Sequence, residues 1–230
     1  MATLQAAVFD IDGTLLDSVD LHAEAWRQIL VRYGRDVTFE EARFQIGKGG
    51  DQLLPVFFSK EELEKLEDEI EEERGKLFKK EFRDKVKPFP GVPELFKHMR
   101  AAGLRLALAS SAKKDELEHY AEVLQIEDLI EAGTSSDDAE RSKPHPDIFQ
   151  AALKKLNGLK ADEVLAIGDT PYDAEAAGKI GIKTVGFLCG GFPEAELRKA
   201  KVIEIYDDPV DLLNRYEKSA FARQAAGYED

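Results

Sequence analysis

The chain has 230 residues, of which 46 are acidic and 32 are basic, so its net charge at neutral pH is −14. Such a surface repels nucleic acid and anionic membranes, and we expect neither as a partner. The hydrophobic fraction of 43% suffices for a packed core, whereas no apolar run approaches the ~20 residues that a membrane span needs.

The first predicted element is a buried strand over residues 6–9, which runs into Asp10-Ile11-Asp12-Gly13-Thr14. Asp10 would lie at the carboxyl end of this strand and Asp12 just beyond it, with both side chains near one pocket. Two carboxylates in one pocket repel each other unless a cation or a shared proton neutralises them. For this segment alone, an acidic turn that caps a helix is the alternative interpretation.

Only helical periodicity follows between residues 14 and 88, where we find no convincing strand. Residues 60–76 hold nine acidic and four basic side chains, which predicts a solvent-exposed helix face. Before them, glycines on both sides of Lys48 keep a turn open and let this lysine reach inward. A proline-dense crossing at residues 87–93 ends the helical block.

After this block, apolar strands alternate with helices, which is typical of a parallel sheet covered on both faces. The predicted strands cover residues 104–109, 130–132, 164–167, 184–187 and 202–205. Ser110-Ser111 follows the first of them, Gly168-Asp169 through Asp173 follows the third, and Lys143 lies in a proline-punctuated turn. Because the ends of parallel strands converge, we expect these side chains to share one crevice with Asp10.

This set of side chains fits phosphoryl transfer to a carboxylate. An aspartate nucleophile divides one difficult displacement into two easier ones through an acyl-phosphate. Because a phosphate dianion and the attacking carboxylate repel each other, a hard cation such as Mg²⁺ must bridge them. Ser110 and Lys143 would hold the phosphate oxygens. Asp12 would protonate the leaving oxygen and later deprotonate water.

At these residues the chain resembles the haloacid dehalogenase superfamily, in its phosphoglycolate phosphatase and β-phosphoglucomutase branch. Four motifs carry the resemblance: Asp10-Ile11-Asp12-Gly13-Thr14, Ser110, Lys143, and Gly168-Asp169 through Asp173. The resemblance implies an α/β fold whose core is a Rossmann-like doubly wound parallel sheet, formed by residues 1–16 and 88–230. It also implies an inserted all-helical cap domain over residues 17–87, with hinges near residues 15–18 and 86–90.

The same resemblance implies roles for individual residues. Asp10 would be the nucleophile and Asp12 the general acid and base, while Ser110 and Lys143 complete the catalytic set. The implied ligands of Mg²⁺ are Asp10, Asp12 through its backbone carbonyl, and Asp169, with Asp173 in or next to the coordination shell. Dehalogenating members lack the second acid, so Asp12 argues against dehalogenation.

Several further residues are candidates for substrate binding. His22 would help to position the general acid and the substrate, or would serve only in packing. Gly47 and Lys48 match the substrate-specificity loop of the resembled family, with a solvated lysine as the alternative. We add Thr14, which would fix the turn of the first motif and could touch phosphate, and Ser111, the neighbour of Ser110.

We therefore predict an enzyme, a Mg²⁺-dependent phosphatase that hydrolyses a small phosphorylated metabolite such as a sugar phosphate or phosphoglycolate. Three alternatives stay open: a β-phosphoglucomutase-like phosphomutase, a phosphonate hydrolase that would use Lys48, and a non-catalytic binding module. The single cysteine, Cys189, suits a reducing compartment. With no apolar signal segment, the chain is expected in the cytoplasm, as a monomer or a weak homodimer. Its polar end, residues 215–230, predicts a loosely packed helix or a frayed tail.

Overall fold

The computed structural model of the protein describes residues 3–225, and these residues form two sheets and a set of helices. The strands are β1 (Ala6–Phe9), β2 (Leu16–Asp17), β3 (Lys87–Pro88), β4 (Arg105–Ala109), β5 (Ala132–Thr134), β6 (Val164–Gly168), β7 (Lys183–Phe187) and β8 (Glu204–Tyr206). The helices are α1 (Val19–Arg32), α2 (Phe39–Arg43), α3 (Gly50–Leu53), α4 (Lys60–Glu81), α5 (Val92–Ala101), α6 (Lys114–Leu124), α7 (Asp147–Lys155), α8 (Pro171–Gly178), α9 (Glu194–Lys199), α10 (Pro209–Asn214) and α11 (Ala220–Ala225).

The central sheet has the strand order β5-β4-β1-β6-β7-β8, and its neighbouring strands are all parallel. The predicted α/β class with a doubly wound parallel sheet is therefore confirmed. Strands β4 and β5 extend the sheet on one side of β1, and strands β6 to β8 extend it on the other side. Ligands of such sheets bind outside the carboxyl ends of the strands, where the order reverses, and here that point lies between β1 and β6.

Strand β1 is buried on both faces, as its unbroken apolar sequence predicts. Ala7 and Phe9 belong to one hydrophobic cluster, whereas Ala6 and Val8 belong to a second cluster across the sheet. Successive side chains of a strand point to opposite faces, so packing on both faces anchors β1. This anchored strand ends directly before Asp10 and fixes the position of that residue.

Two strands begin two residues later than the sequence predicts. β5 covers Ala132–Thr134 instead of residues 130–132, and β8 covers Glu204–Tyr206 instead of residues 202–205. The apolar side chains that suggested the earlier starts, Ile130 and Val202, pack against hydrophobic clusters from the preceding turns. Hydrophobicity reports burial, and it does not by itself show which residues pair in the sheet.

Helices α1 to α4 pack around a hydrophobic cluster of their own, separate from the clusters that cover the sheet. Its members include Trp26, Ile70 and Phe78. Helix α4 begins at a reciprocal capping arrangement, in which Ser59 accepts from the backbone of Glu62 and donates its own N–H to the Glu62 side chain. In residues 3–225, no helix combines the length and the apolar composition required to cross a membrane.

Two short strands connect the helical block to the central sheet, which corrects our expectation of no strand between residues 14 and 88. Strands β2 and β3 pair antiparallel, with Leu16 opposite Pro88 and Asp17 opposite Lys87. Each strand has two residues, which is too short for an alternating pattern to show in the sequence. The pair lies where the hinges were expected, so the chain enters and leaves the helical block side by side.

The C-terminal segment is packed more firmly than we expected. Tyr216 and Phe221 are buried in the same cluster as Phe9, and Ser219 donates a hydrogen bond of 2.6 Å to the Tyr216 carbonyl. The expectation of a loose helix or frayed tail is therefore wrong for residues 215–224, because these aromatic side chains complete the core. The last part of that segment, residues 226–230, lies outside the described residues.

Candidate active site

Asp10 lies at the carboxyl end of β1, between the ends of β4 and β6. Its backbone N–H donates to the Ile167 carbonyl at 2.8 Å, which continues the pairing of β1 with β6. The buried Asp10 carboxylate pairs with Lys143 Nζ, and Thr14 Oγ1 lies 3.5 Å from its Oδ2 atom. Burial raises the pKa of Asp10 to about 7 against the opposing effect of the Lys143 charge.

Lys143 is completely buried, and its ammonium group has three acceptors. These are the carboxylates of Asp10 and Asp173, the latter at 2.7 Å, and the Ala109 carbonyl at 3.1 Å. Burial alone would lower the pKa of Lys143, but the two carboxylates outweigh it and raise the pKa above its usual value. The lysine is thus held as a cation at the ends of β1 and β4.

Asp169 follows β6, and neighbouring groups compensate the charge of its carboxylate only in part. Its Oδ1 accepts a hydrogen bond of 3.0 Å from Thr14, whereas its buried Oδ2 has no hydrogen-bond partner within residues 3–225. Burial, together with the charges of Asp173 and Asp10, raises the pKa of Asp169 well above its usual range. A buried oxygen without a partner is costly, so this atom requires a proton or a cation.

The carboxylates of Asp10, Asp169 and Asp173 offer oxygen atoms that all lie within 4.8 Å of one another. Three buried carboxylates thus face the single ammonium group of Lys143. Oxygen donors in this arrangement suit a hard divalent cation such as Mg²⁺. The expected metal residues Asp10, Asp169 and Asp173 are therefore brought together, and the residues present fit the ion.

Gly13 and Gly190 lie so close to Asp169 that a side chain at either position would collide with its carboxylate. A Cβ atom placed on Gly190 would lie 1.7 Å from Asp169 Oδ2, and one on Gly13 would lie 2.3 Å from the same atom. Gly13 also has a φ angle of 83°, which favours glycine in any case. The backbone therefore closes tightly around the unpartnered oxygen from two sides.

Asp173 is fixed by the start of helix α8. Its Oδ2 accepts from the Thr170 backbone N–H at 3.1 Å and from Thr170 Oγ1 at 2.7 Å, while Thr170 Oγ1 caps the Asp173 N–H. The other oxygen, Oδ1, faces Lys143. Groups of the protein therefore contact both oxygens of Asp173. In Asp169, by contrast, only Oδ1 has a hydrogen-bond partner among residues 3–225.

Asp12 is turned away from the carboxylate cluster towards helix α1. Its Oδ1 accepts from Ser18 Oγ at 2.6 Å and contacts His22 Nε2 at 2.9 Å. Burial favours the protonated form of Asp12, but His22 and Ser18 outweigh this effect and lower its pKa to about 2. His22 thus lies in direct contact with the expected general acid and base. This is the arrangement that a positioning role of His22, the first of its two interpretations, requires.

Arg74 is a site residue that the sequence analysis missed. Its guanidinium contacts His22 Nδ1, and it lies 5.3 Å from the Trp26 ring centroid and 4.9 Å from that of Phe78. Because arginine only donates, His22 Nδ1 is the acceptor and Nε2–H donates to Asp12. The prediction that residues 60–76 form a solvated face is wrong at this position. The spacing of Arg74 from Ile70 and Phe78 places it on the apolar face of α4, and this signal was available in the sequence.

Ser110 and Ser111 lie at the end of β4, where the sequence analysis placed them. Ser110 is fully buried, and its Oγ accepts a hydrogen bond of 3.0 Å from the Ala112 backbone. Ser111 lies beside it and lines the cavity above Asp10. The hydroxyl that was expected to hold phosphate, that of Ser110, is thus fixed in place, and the substrate-binding candidate Ser111 borders the open space.

The glycine loop of the helical block meets the core at helix α8. Gly47 has a φ of 103°, and a Cβ atom on it would lie 2.7 Å from Thr170 Cγ2. Lys48 donates a hydrogen bond of 2.7 Å to Gln45, and its Nζ atom lies 4.7 Å from the Tyr172 ring centroid. Burial lowers the pKa of the half-buried Lys48 ammonium. The loop therefore packs on the core, and Lys48 lies at the wall of the cavity. This position agrees with the expectation that the lysine reaches inward.

A cavity of about 550 Å³ separates the helical block from the ends of the strands. Its volume lies within the usual range for sites that bind small molecules. The sheet side contributes Asp10, Asp12 and Ser110, and the helical side contributes Lys48, Glu71 and Arg74. Every motif residue discussed above therefore lies in this cavity or directly beneath it.

Comparisons with known proteins agree with this geometry. The haloacid dehalogenase-like hydrolase family matches residues 7–187. A phosphorylated carbohydrates phosphatase of Thermotoga maritima is 28% identical over 186 residues, which make up 79% of this chain and 84% of that protein. A phosphoglycolate phosphatase of Aquifex aeolicus is 27% identical over 192 residues, 81% of this chain and 86% of that protein.

Solved structures are similar over almost the whole chain. A hydrolase from Pseudomonas syringae has a TM-score of 0.84 and 29% identity, covering 94% of this chain and 99% of its own. A β-phosphoglucomutase from Clostridium difficile shares the fold at a TM-score of 0.76 and 21% identity, covering 97% of this chain and 99% of its own. With the family match spanning most of the sequence and the motif residues gathered around one cavity, the chain belongs to the haloacid dehalogenase-like hydrolases.

Proposed function

We propose that this enzyme is a Mg²⁺-dependent phosphatase that hydrolyses a small phosphorylated metabolite through an aspartyl-phosphate on Asp10. The observation that carries the proposal is the buried cluster of Asp10, Asp169 and Lys143 at the switch point of the sheet, open to a cavity of about 550 Å³. The similar phosphatases of Thermotoga maritima and Aquifex aeolicus support phosphate esters of sugars or of glycolate as substrates.

Mg²⁺ would be held by Asp10, Asp169 and the backbone carbonyl of Asp12. When bound, the ion supplies positive charge that offsets the repulsion between the phosphate and the attacking carboxylate. The unpartnered Oδ2 of Asp169 supports this assignment. We place Asp173 next to the ion rather than on it, because its two oxygens already contact Thr170 and Lys143.

The protein groups would act in two steps. A carboxylate oxygen of Asp10 attacks phosphorus, while Lys143 and Ser110 hold phosphate oxygens. Asp12, which must first take up a proton despite its lowered pKa, protonates the leaving oxygen as the bond between that oxygen and phosphorus breaks. In the second step, Asp12 takes a proton from water, and this water attacks phosphorus. The bond between phosphorus and the Asp10 carboxylate breaks, which frees Asp10 and releases inorganic phosphate. Ser18 and His22 orient Asp12 for both proton transfers.

Residues 17–87 would form a cap domain over the core made by residues 1–16 and 88–230. The separate hydrophobic cluster of the helical block and the paired hinge strands support these boundaries. The cap would close over the phosphate and exclude water while the substrate is bound. Its loop with Gly47 and Lys48, together with Thr14 and Ser111 on the core, would contact the substrate.

A panel of phosphorylated metabolites and p-nitrophenyl phosphate tests this proposal. We expect phosphate release that requires Mg²⁺ and is lost in excess EDTA, and Asp10→Asn should abolish turnover because an amide is a poor nucleophile. Asp68→Asn, an exposed acid on α4, is the matched control and should retain activity. Full activity in EDTA, or substantial activity of Asp10→Asn, would contradict the proposed chemistry.

A phosphomutase of the β-phosphoglucomutase type is the second candidate. The contacts that hold the helical block on the core favour it, since a closed cavity admits a bound substrate hydroxyl more readily than bulk water. Arg43 Nη2 donates to the Gly190 carbonyl at 2.8 Å, and Tyr172 donates to the Phe44 carbonyl at 2.6 Å. Formation of glucose 6-phosphate from β-glucose 1-phosphate and glucose 1,6-bisphosphate would favour the mutase over the phosphatase.

A phosphonate hydrolase is a weaker candidate, since it would require Lys48 to form a Schiff base. The Lys48 ammonium instead donates to Gln45 and lies over the Tyr172 ring. Borohydride treatment in the presence of phosphonoacetaldehyde should therefore leave the protein unmodified.

A further inference from the structure

Glu71 is a half-buried acid in the middle of α4 that faces the cavity. Its Oε1 atom lies against the backbone of Gly50, where a Cβ atom would come within 2.0 Å of it. Among the described residues, no donor lies within hydrogen-bond distance of this carboxylate and no cation lies within ion-pair distance, although the charges of Lys113 and Arg74 act on it from farther away. Burial raises the pKa of Glu71, and the charges of Glu67 and Asp51 add to this rise against the opposing effect of Lys113 and Arg74. The carboxyl group of Glu71 is therefore held in a position where no described residue donates a hydrogen bond to it.

Three other acids around the cavity each have a direct partner of the kind that Glu71 lacks. Asp51 accepts from the backbone N–H of Ser142 at 3.1 Å and from the hydroxyl of the same residue. Glu72 pairs with Lys76 at 2.5 Å, and Glu116 accepts from the Tyr120 hydroxyl at 3.2 Å. A half-buried acceptor that lacks such a partner is free to take its hydrogen bond from a bound molecule.

We propose that Glu71 accepts a hydrogen bond from a hydroxyl group in the leaving-group part of the substrate. The enzyme would thereby select phosphate esters of polyhydroxy compounds, such as sugar phosphates, over esters whose second group is a carboxylate. The inference rests on the proposed phosphatase function, because it concerns the same cavity.

The charges around Glu71 support a hydroxyl group as its partner. A substrate carboxylate beside Glu71 would meet two like charges, since Asp51 lies near it, and like charges at short distance repel strongly where solvent is limited. A hydroxyl group donates to Glu71 and still accepts from a nearby cation. Lys76 and Lys113 also border the cavity, but both side chains are exposed, so water and salt screen their attraction for a second anionic group. The half-buried Arg74 is already engaged by His22.

The test compares kcat/KM for glucose 6-phosphate, sorbitol 6-phosphate, 2-phosphoglycolate and p-nitrophenyl phosphate. The wild type should prefer a hydroxylated ester to 2-phosphoglycolate. Glu71→Gln should reduce this preference at least about tenfold, as expected for weakening a hydrogen bond to a charged group. Glu71→Lys should reverse the preference. Glu72→Gln, the neighbouring exposed acid that pairs with Lys76, should leave the ratio unchanged.

Two results would overturn the inference while the phosphatase function stands. One is a wild type that prefers 2-phosphoglycolate, and the other is a Glu71→Gln variant that loses the same factor on all four esters. Absence of Mg²⁺-dependent release from every ester, including p-nitrophenyl phosphate, would instead remove the proposed function, and the assignment of Glu71 with it. Circular dichroism of all three variants shows whether they fold.

Discussion

Asp12 shows how neighbouring side chains set the state of a single carboxyl group. Arg74 contacts His22 Nδ1, His22 Nε2 contacts Asp12 Oδ1 at 2.9 Å, and Ser18 donates to the same oxygen at 2.6 Å. Arginine is always charged, so it fixes the tautomer of the histidine, and the histidine in turn donates to the acid. At the scale of the residue, Arg74 is thus a positioning residue for the proposed general acid and base.

Arg74→Ala should therefore lower turnover mainly where the leaving group needs a proton. For a sugar phosphate we expect a loss of about 10- to 100-fold in kcat, the usual effect of losing a hydrogen bond to a charged group. For p-nitrophenyl phosphate the loss should be smaller, because nitrophenolate leaves without protonation. Asp12→Asn should show the same dependence with a larger loss, about 10²–10⁴-fold.

Rescue by a conservative variant separates positioning from folding. Arg74→Lys keeps a cation that can donate to His22, so it should recover part of the activity of Arg74→Ala on the sugar phosphate. Equal losses of Arg74→Ala on both substrates would show that Arg74 serves folding or phosphate binding, and not the proton transfer by Asp12.

At the scale of the element, two loops join across the cavity next to Lys143. Gly49, in the loop before α3, donates its N–H to Ser142 Oγ at 2.8 Å, and Asp51 at the start of α3 accepts from Ser142. Ser142 directly precedes Lys143, so these contacts link the helical block to the loop that holds the proposed catalytic lysine. A second set of contacts, from α2 and its following residue to Gly190 and Tyr172, lies on another side of the cavity.

Asp51→Ala should weaken this junction and open the proposed cap. We expect KM to rise by about tenfold or more, since a hydrogen bond between Ser142 and a charged group is lost, while kcat at saturation changes less. Asp68→Ala, an exposed acid on α4, is the control and should leave KM unchanged.

The single tryptophan gives a direct measure of this opening. Trp26 is only 6% exposed and borders the cavity. Acrylamide should quench its fluorescence more strongly in Asp51→Ala than in the wild type or in Asp68→Ala. Unchanged quenching together with a raised KM would place Asp51 in substrate binding instead of cap closure.

At the scale of the whole molecule, the buried charges of the site act on stability. Asp10, Asp169 and Asp173 are buried with Lys143 as their nearest cation, and one oxygen of Asp169 lacks a partner within residues 3–225. Buried charges that are incompletely paired oppose folding. We therefore expect the site to lower the free energy of unfolding of the metal-free protein, and cation binding to raise it again.

Mg²⁺ should raise the Tm of the wild type. At a concentration 100 times the Kd, binding stabilises the folded state by about 2.7 kcal/mol, which for a chain of 230 residues corresponds to roughly 5–10 °C. Asp169→Asn should have a higher metal-free Tm than the wild type, because one unbalanced buried charge is gone, and Mg²⁺ should no longer shift it. An equal Mg²⁺ shift in Asp169→Asn would exclude this residue as a ligand.

The sequence alone predicted the sheet class and the residues at its carboxyl edge. Apolar runs that end in Asp10, Ser110 and Asp169 are local patterns, and parallel strands bring their ends together whatever the rest of the chain does. Helical periodicity is also a local pattern, so the sequence predicted the helical character of the block between residues 17 and 87.

The tertiary structure alone decided which side chains meet across the cavity. Periodicity identified the apolar face of α4, but it could not show that Arg74 on this face contacts His22 or that Glu71 has no hydrogen-bond donor among residues 3–225. Likewise, the sequence did not reveal that Phe221 completes the core cluster of Phe9. These contacts join residues far apart in the chain, and their free energies depend on distances and burial that only packing sets, whereas strand and helix patterns depend on neighbours in sequence.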